Sequence, residues 1–172
     1  MTVEEIYSKV SSHMVKGMMI HLKLSEYYSF LNLPKYSKFQ YHQYLEESES
    51  YHKLSEYYMK NHCRLIIEEK IDIPNVIPET WYKHTKHDLD GDTIKKGVQN
   101  GLTMWVDWEK ETKLLYENMY SELLDIGEIS DTIIMKELVS DVTNELALAV
   151  EYKMNKEVTN YDTVLIIEEQ GE

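Results

Sequence analysis

Glu49-Ser50-Tyr51-His52 places a carboxylate and an imidazole three residues apart, a spacing that sets both on one helix face. Three other segments carry a similar interruption in a seam of apolar and small residues: His21 between Gly17 and Leu24, Glu109 between Trp105 and Thr112, and Glu145 between Val142 and Ala149. An unpartnered carboxylate in a core is expensive or forced neutral, so a convergence of such groups calls for a counter-charge. Three carboxylates and two imidazoles suit a hard or borderline divalent cation: iron, with manganese or zinc as the other metals that fit the donors. Singly, each residue reads as a satisfied core group; the case for a metal rests on their meeting at one height.

Long helices are the elements that would bring them there. Thr2-Val3-Glu4-Glu5 has the form of a capping box, and the helical pattern after it runs to about Asn32, with Ile6, Val10, Met14, Gly17, Leu24, Tyr28 and Leu31 inward. Leu33-Pro34 ends it. Ser37-Lys38-Phe39-Gln40 forms a second capping box and predicts a helix to about Glu69, with Tyr41, Leu45, Met59, Cys63 and Ile66 inward beside Glu49 and His52. A third helix from about Thr93 to Asp125 turns Val98, Leu102, Trp105, Thr112, Tyr116, Met119 and Leu123 inward, and Gly127 follows as its C′ residue. Ser130 or Asp131 caps a fourth, to about Val158, with Met135, Leu138, Val142, Ala149 and Tyr152 inward. With the turns centred near residues 35 and 128, His21 and Glu49 lie 14 residues from the first and His52 lies 17, while Glu109 and Glu145 lie 19 and 17 from the second. At about 1.5 Å per residue, all five share a mid-bundle slab.

The gap between the first two helices is short enough to force an antiparallel hairpin. Residues 70–92 differ: Pro74, Asn75, Pro78 and Asp88-Leu89-Asp90-Gly91-Asp92 mark a long connection, with room for a short helix at 79–86. The aspartate cluster opens like a calcium loop, but Thr93 and Gln99 stand where that loop needs glycine and glutamate, so it reads as a turn with helix-capping aspartates. His84 and His87 read as exposed residues of the same connection. Residues 1–160 form one helical domain and 161–172 an acidic tail.

The chain has 172 residues, a net charge of −13 and a pI near 5.0. Such acidity argues against nucleic acid as a partner, whose binding needs a basic patch, and suits attraction of cations. Aliphatic runs are too short for a bilayer, Glu4 and Glu5 stand where a secretion signal would be basic, and Cys63 has no partner for a disulfide. A cytoplasmic protein without membrane contact is the expectation. Of its 14 tyrosines, Tyr27, Tyr36, Tyr44, Tyr51, Tyr57 and Tyr58 on the first hairpin are more than one seam can bury, which predicts a homo-oligomer formed through it.

Two hairpins of long helices joined by one long crossover resemble the ferritins and mini-ferritins over roughly residues 10–158. Glu49-Ser50-Tyr51-His52-Lys53-Leu54 looks like the Glu-x-x-His motif of a ferritin second helix, Glu109-Lys110 like the third-helix glutamate and Asn144-Glu145 like the fourth-helix acidic pair. Tyr28 looks like the tyrosine one heptad beyond the first-helix ligand. His21 stands where ferritins place a glutamate, and Leu148 where a second histidine would complete a symmetric site. The hairpin around Leu33-Pro34 and His42 is similar to that of the mini-ferritins, with Tyr28 in place of their ligand histidine. The resemblance implies an all-α ferritin-like four-helix bundle with its long crossover between helices 2 and 3. It further implies oxidation of Fe(II) at an intra-bundle site in which Glu49, His52 and Glu109 do the chemistry and His21 and Glu145 complete the metal shell. The alternative is a non-catalytic ferritin-like structural or assembly protein with a degenerate site.

Overall fold

The computed structural model describes residues 1–71, 75–82 and 85–162. They form α1 (Val3–Phe30), α2 (Pro34–His62), α3 (Gly91–Asp125) and α4 (Thr132–Val158), with a 3-10 turn at Glu79–Trp81 and no strand among the described residues. The Thr2 hydroxyl accepts from the Glu5 N–H at 3.2 Å while the Glu5 carboxylate accepts from the Thr2 N–H at 2.8 Å, so the expected capping box opens α1. Asn32, at φ 60°, closes it: the Leu33 N–H reaches the Tyr28 carbonyl and the Asn32 N–H that of Ser29, a Schellman motif. This reversal delivers Pro34 to the first turn of α2, where its fixed φ and missing N–H cost nothing. Ser37 is therefore inside α2 instead of capping it, and the Ser25 hydroxyl donates to its carbonyl at 2.8 Å. Gly127, at φ 82°, ends α3 in the same motif, as the sequence predicts.

The second helix stops at Cys63, whose φ of 55° is left-handed, well before the expected Glu69. From there the chain runs alongside α1, held by three serines. The Ser8 hydroxyl donates to the Ile67 carbonyl, Ser11 to the Glu68 carboxylate, and the Glu69 N–H donates to Ser12. Further along, Trp81 packs on Tyr27 near the other end of α1. The crossover thus travels the length of the bundle, and α3 starts at the same end as α2 and runs parallel to it. A short link would have forced an antiparallel neighbour. Residues 83–84, part of the helix expected at 79–86 and including His84, and residues 163–172 lie outside the described residues. Tyr161, assigned to the tail by sequence, is buried against the bundle. The Asp90 carboxylate caps α3 by accepting from the Thr93 N–H at 2.7 Å, which accounts for the aspartate cluster as a helix start.

Apolar packing falls into two clusters. One gathers Leu24, Tyr28, Leu31, Val98, Leu102 and Trp105; the other gathers Ile6, Val10, Met14, Leu54, Met119 and Met135. Gly97 and Gly101 let α3 lie against α1: a Cβ at Gly101 would stand 2.3 Å from the Tyr28 hydroxyl. Between the clusters sit buried polar side chains, His21, Gln40, Gln43, Glu47, Glu109 and Thr112.

The inner face of α2 is not the one its apolar residues indicate. Tyr41, Leu45 and Met59 are 46%, 40% and 47% exposed, and Glu49 and His52 are exposed with them. Tyr36, Gln40, Gln43, Glu47, Leu54 and Tyr58 are the residues turned inward. Tyrosines lie on both faces of this helix, so hydrophobic period alone could not tell inner from outer.

Candidate functional site

Each helix sends a polar side chain into the layer between the two clusters. From α1, His21 is 1% exposed and its Nδ1 lies 2.8 Å from the Gln40 amide oxygen, so Nδ1–H donates and Nε2 keeps its lone pair. That lone pair faces Oε1 of Glu109 at 3.6 Å, beyond hydrogen-bonding distance. Glu109, from α3, is fully buried; the Trp105 indole N–H donates to its Oε1 at 2.9 Å, and its Oε2 has no partner among the described residues. From α2, Glu47 reaches toward α1 where Gly17 leaves space: a Cβ there would lie 3.3 Å from Glu47 Oε1 and 3.1 Å from the Trp108 ring. From α4 comes the half-buried Glu145.

Burial and mutual repulsion decide the charges. Burial first, then the charges of Glu145 and Glu47, push the Glu109 carboxyl up to about 9, against the lowering effect of the Trp105 hydrogen bond. Burial and then Glu145 push Glu47 to about 8. Burial, then Glu46 and Asp141, push Glu145 to about 7. Burial holds the His21 imidazole down to about 4 although the Gln40 hydrogen bond favours its charged form. At neutral pH, His21 and Glu109 are therefore a neutral pair rather than a salt bridge. A proton on the Oε2 side of Glu109 finds no acceptor among the described residues. The tyrosine beside them, Tyr116, is buried and its hydroxyl pKa is raised by burial and by the same three glutamates.

Of the five residues expected to meet, His21, Glu109 and Glu145 share this layer. Glu49 and His52 do not: the His52 side chain is 75% exposed and lies 3.3 Å from Glu56 on the outer face of α2, so the expectation that this Glu-x-x-His pair points into the bundle is corrected. Glu47 takes its place, with Ser50 where a helix-borne histidine partner would be. The signal for Glu47 was present in the three- and four-residue steps of Tyr36, Gln40, Gln43 and Glu47, continued one heptad on by Leu54 and then Tyr58, and was hidden because three of those six are polar. As placed, no three His, Cys, Asp or Glu side chains among the described residues are grouped closely enough to hold a metal ion. Among the described residues no helix is long and apolar enough to cross a membrane.

No family profile matches the sequence, and no curated protein sequence does. In three dimensions, 124 chains of solved structures match. One is a crystal structure of a variant of the ferritin PmFTN soaked in iron, similar with a TM-score of 0.73 at 8% identity, over 96% of this chain and 95% of that one. At that identity the likeness establishes the fold alone. The chain has the ferritin-like four-helix fold, with the crossover between its second and third long helices.

Proposed function

We propose that this ferritin-like chain takes a divalent metal ion, iron foremost, between Glu47, Glu109, Glu145 and His21, and that Fe(II) is oxidised there with dioxygen or peroxide as the electron acceptor. The observation that carries the reading is Glu109: fully buried, one oxygen unpartnered, and facing two further carboxyl groups and a neutral imidazole. Iron is the substrate, and each Fe(II) gives up one electron to the acceptor. The protein's part is to exchange protons for the cation at Glu47 and Glu109 and to offer the His21 Nε2 lone pair. The Trp105 N–H holds the Glu109 plane, and apolar clusters on both sides keep water from screening the charge. Loading requires the carboxylates to swing together from their present placement. Glu49 and His52 have no part in this site. A homo-oligomer built on the α1–α2 hairpin is supported by the exposed apolar face of Tyr41, Leu45 and Met59.

The second reading, a non-catalytic ferritin-like bundle, is favoured by one observation: Ser50, not a nitrogen ligand, stands three residues after Glu47. Adding oxygen to Fe(II)-loaded protein separates the two. Oxidation in native protein and in Glu49→Gln/His52→Ala, but not in Glu47→Gln/Glu109→Gln, is the expected outcome. Bound Fe(II) that oxidises no faster than in buffer would favour the second reading.

A further inference from the structure

The carboxylates of the site continue outward. Between α2 and α4 lies a cavity of about 20 Å³ lined by Glu47, Ser50, Thr112, Tyr116, Asp141 and Glu145, among others. That volume holds one water molecule or one bare ion. Glu47 lines it, is only 9% exposed, and no hydrogen bond from the described residues reaches its carboxylate. Asp141 lines the same cavity yet is exposed, so the cavity meets the surface at that residue. Glu46, across the gap on α2, is also exposed and is steadied by the Gln43 amide, which donates to its Oε2 at 2.7 Å. The charges of Glu46 and Asp141 both act on Glu145, the half-buried carboxyl between surface and interior. Nearer the α3–α4 turn, Lys53 pairs with Glu137 across α2 and α4, and it is close enough for the charge of Asp141 at the edge of the opening to act on it.

We infer that divalent cations reach the bundle centre through this gap between α2 and α4, drawn in by Glu46 and Asp141 and passed by Glu145 to the cavity beside Glu47. The inference rests on the metal-binding reading above and adds to it a route and two residues that act on the rate of loading. Glu46 and Asp141 are not ligands of the final site; they are the charges that raise the local cation concentration at its mouth. A mouth lined by one sign of charge speeds association by tenfold or more at low salt, and salt suppresses the effect.

Stopped-flow binding of Co(II), a redox-stable stand-in for Fe(II), tests this on the whole chain. In Glu46→Gln/Asp141→Asn the association rate should fall about five- to tenfold at low ionic strength. The deficit should shrink in high salt, while the amount of Co(II) bound at saturation stays the same. The control, Glu117→Gln/Asp125→Asn, removes two exposed acidic charges elsewhere on α3 and should leave the rate within about twofold of native. Both positions of the test variant are exposed, and unchanged helical circular dichroism will confirm that it folds. Equal slowing in both variants, or none in the first, overturns the route while leaving the binding site standing. Failure of the native chain to bind Co(II) or Fe(II) at all overturns the binding site itself, and the route with it.

Discussion

Replacing Glu109 by glutamine should stabilise the metal-free protein while destroying its response to metal. The folded chain holds this carboxyl at about 9, against an ordinary value of 4.5. Below pH 4.5 it is protonated in folded and unfolded chains alike. Above that, the unfolded chain gains by ionising and the folded one does not, so the stability contributed by the raised pKa is lost steadily until the pH reaches about 9. Each pH unit in that window costs about 1.4 kcal/mol, so at pH 7 the native residue costs about 3–4 kcal/mol. Glutamine has the same shape, accepts the Trp105 indole N–H through its amide oxygen, and never ionises. Glu109→Gln should therefore gain about 3–4 kcal/mol at pH 7, or about 7–14 °C in melting temperature for a domain of this size. Urea unfolding with chelator present, at pH 5, 7 and 8.5, measures it. The gain should be small at pH 5 and largest at pH 8.5. A variant less stable than native at pH 7, or one whose gain is the same at every pH, would refute the reasoning.

Glu49→Gln and His52→Ala should each change unfolding free energy by no more than about 0.5 kcal/mol, because both side chains lie on the exposed face of α2. Tyr28→Phe should stabilise by about 1 kcal/mol in denaturant titrations, since the buried Tyr28 hydroxyl has no partner among the described residues. Gly101→Ala should cost about 1–3 kcal/mol in the same assay, because its Cβ would meet that hydroxyl. Light scattering should give a multiple of 20.5 kDa, and Tyr41→Lys/Leu45→Lys should shift it toward the monomer through repulsion and lost apolar contact.

The architecture was legible because three of the four helices carry seams in which buried residues are mostly apolar and regularly spaced. Every inward position assigned on α1 between Ile6 and Leu31 is buried, as are those on α3 between Val98 and Leu123. Helix starts with side-chain caps, Thr2 and Asp90, could be read directly; the start of α2 could not, since it relies on Pro34 and the preceding reversal instead of a capping side chain. The α2 seam failed for a physical reason. A helix that presents Gln40, Gln43 and Glu47 to a polar layer has an inner face less hydrophobic than its outer one, so burial and hydropathy point opposite ways. Of the candidate site, the inward placement of His21, Glu109 and Glu145 was legible because they lie on well-patterned helices, whereas that of Glu47 needed the true face of α2.

The central claim is that a metal ion displaces protons from buried carboxyls. Anaerobic calorimetric titration of Fe(II) at pH 7, repeated in buffers of different ionisation enthalpy, counts those protons directly. With Glu47 held near 8 and Glu109 near 9, native protein should bind Fe(II) and release about two protons per site. Glu47→Gln/Glu109→Gln should bind none. Binding without proton release, binding that survives in the double variant, or no binding by the native chain would contradict the account.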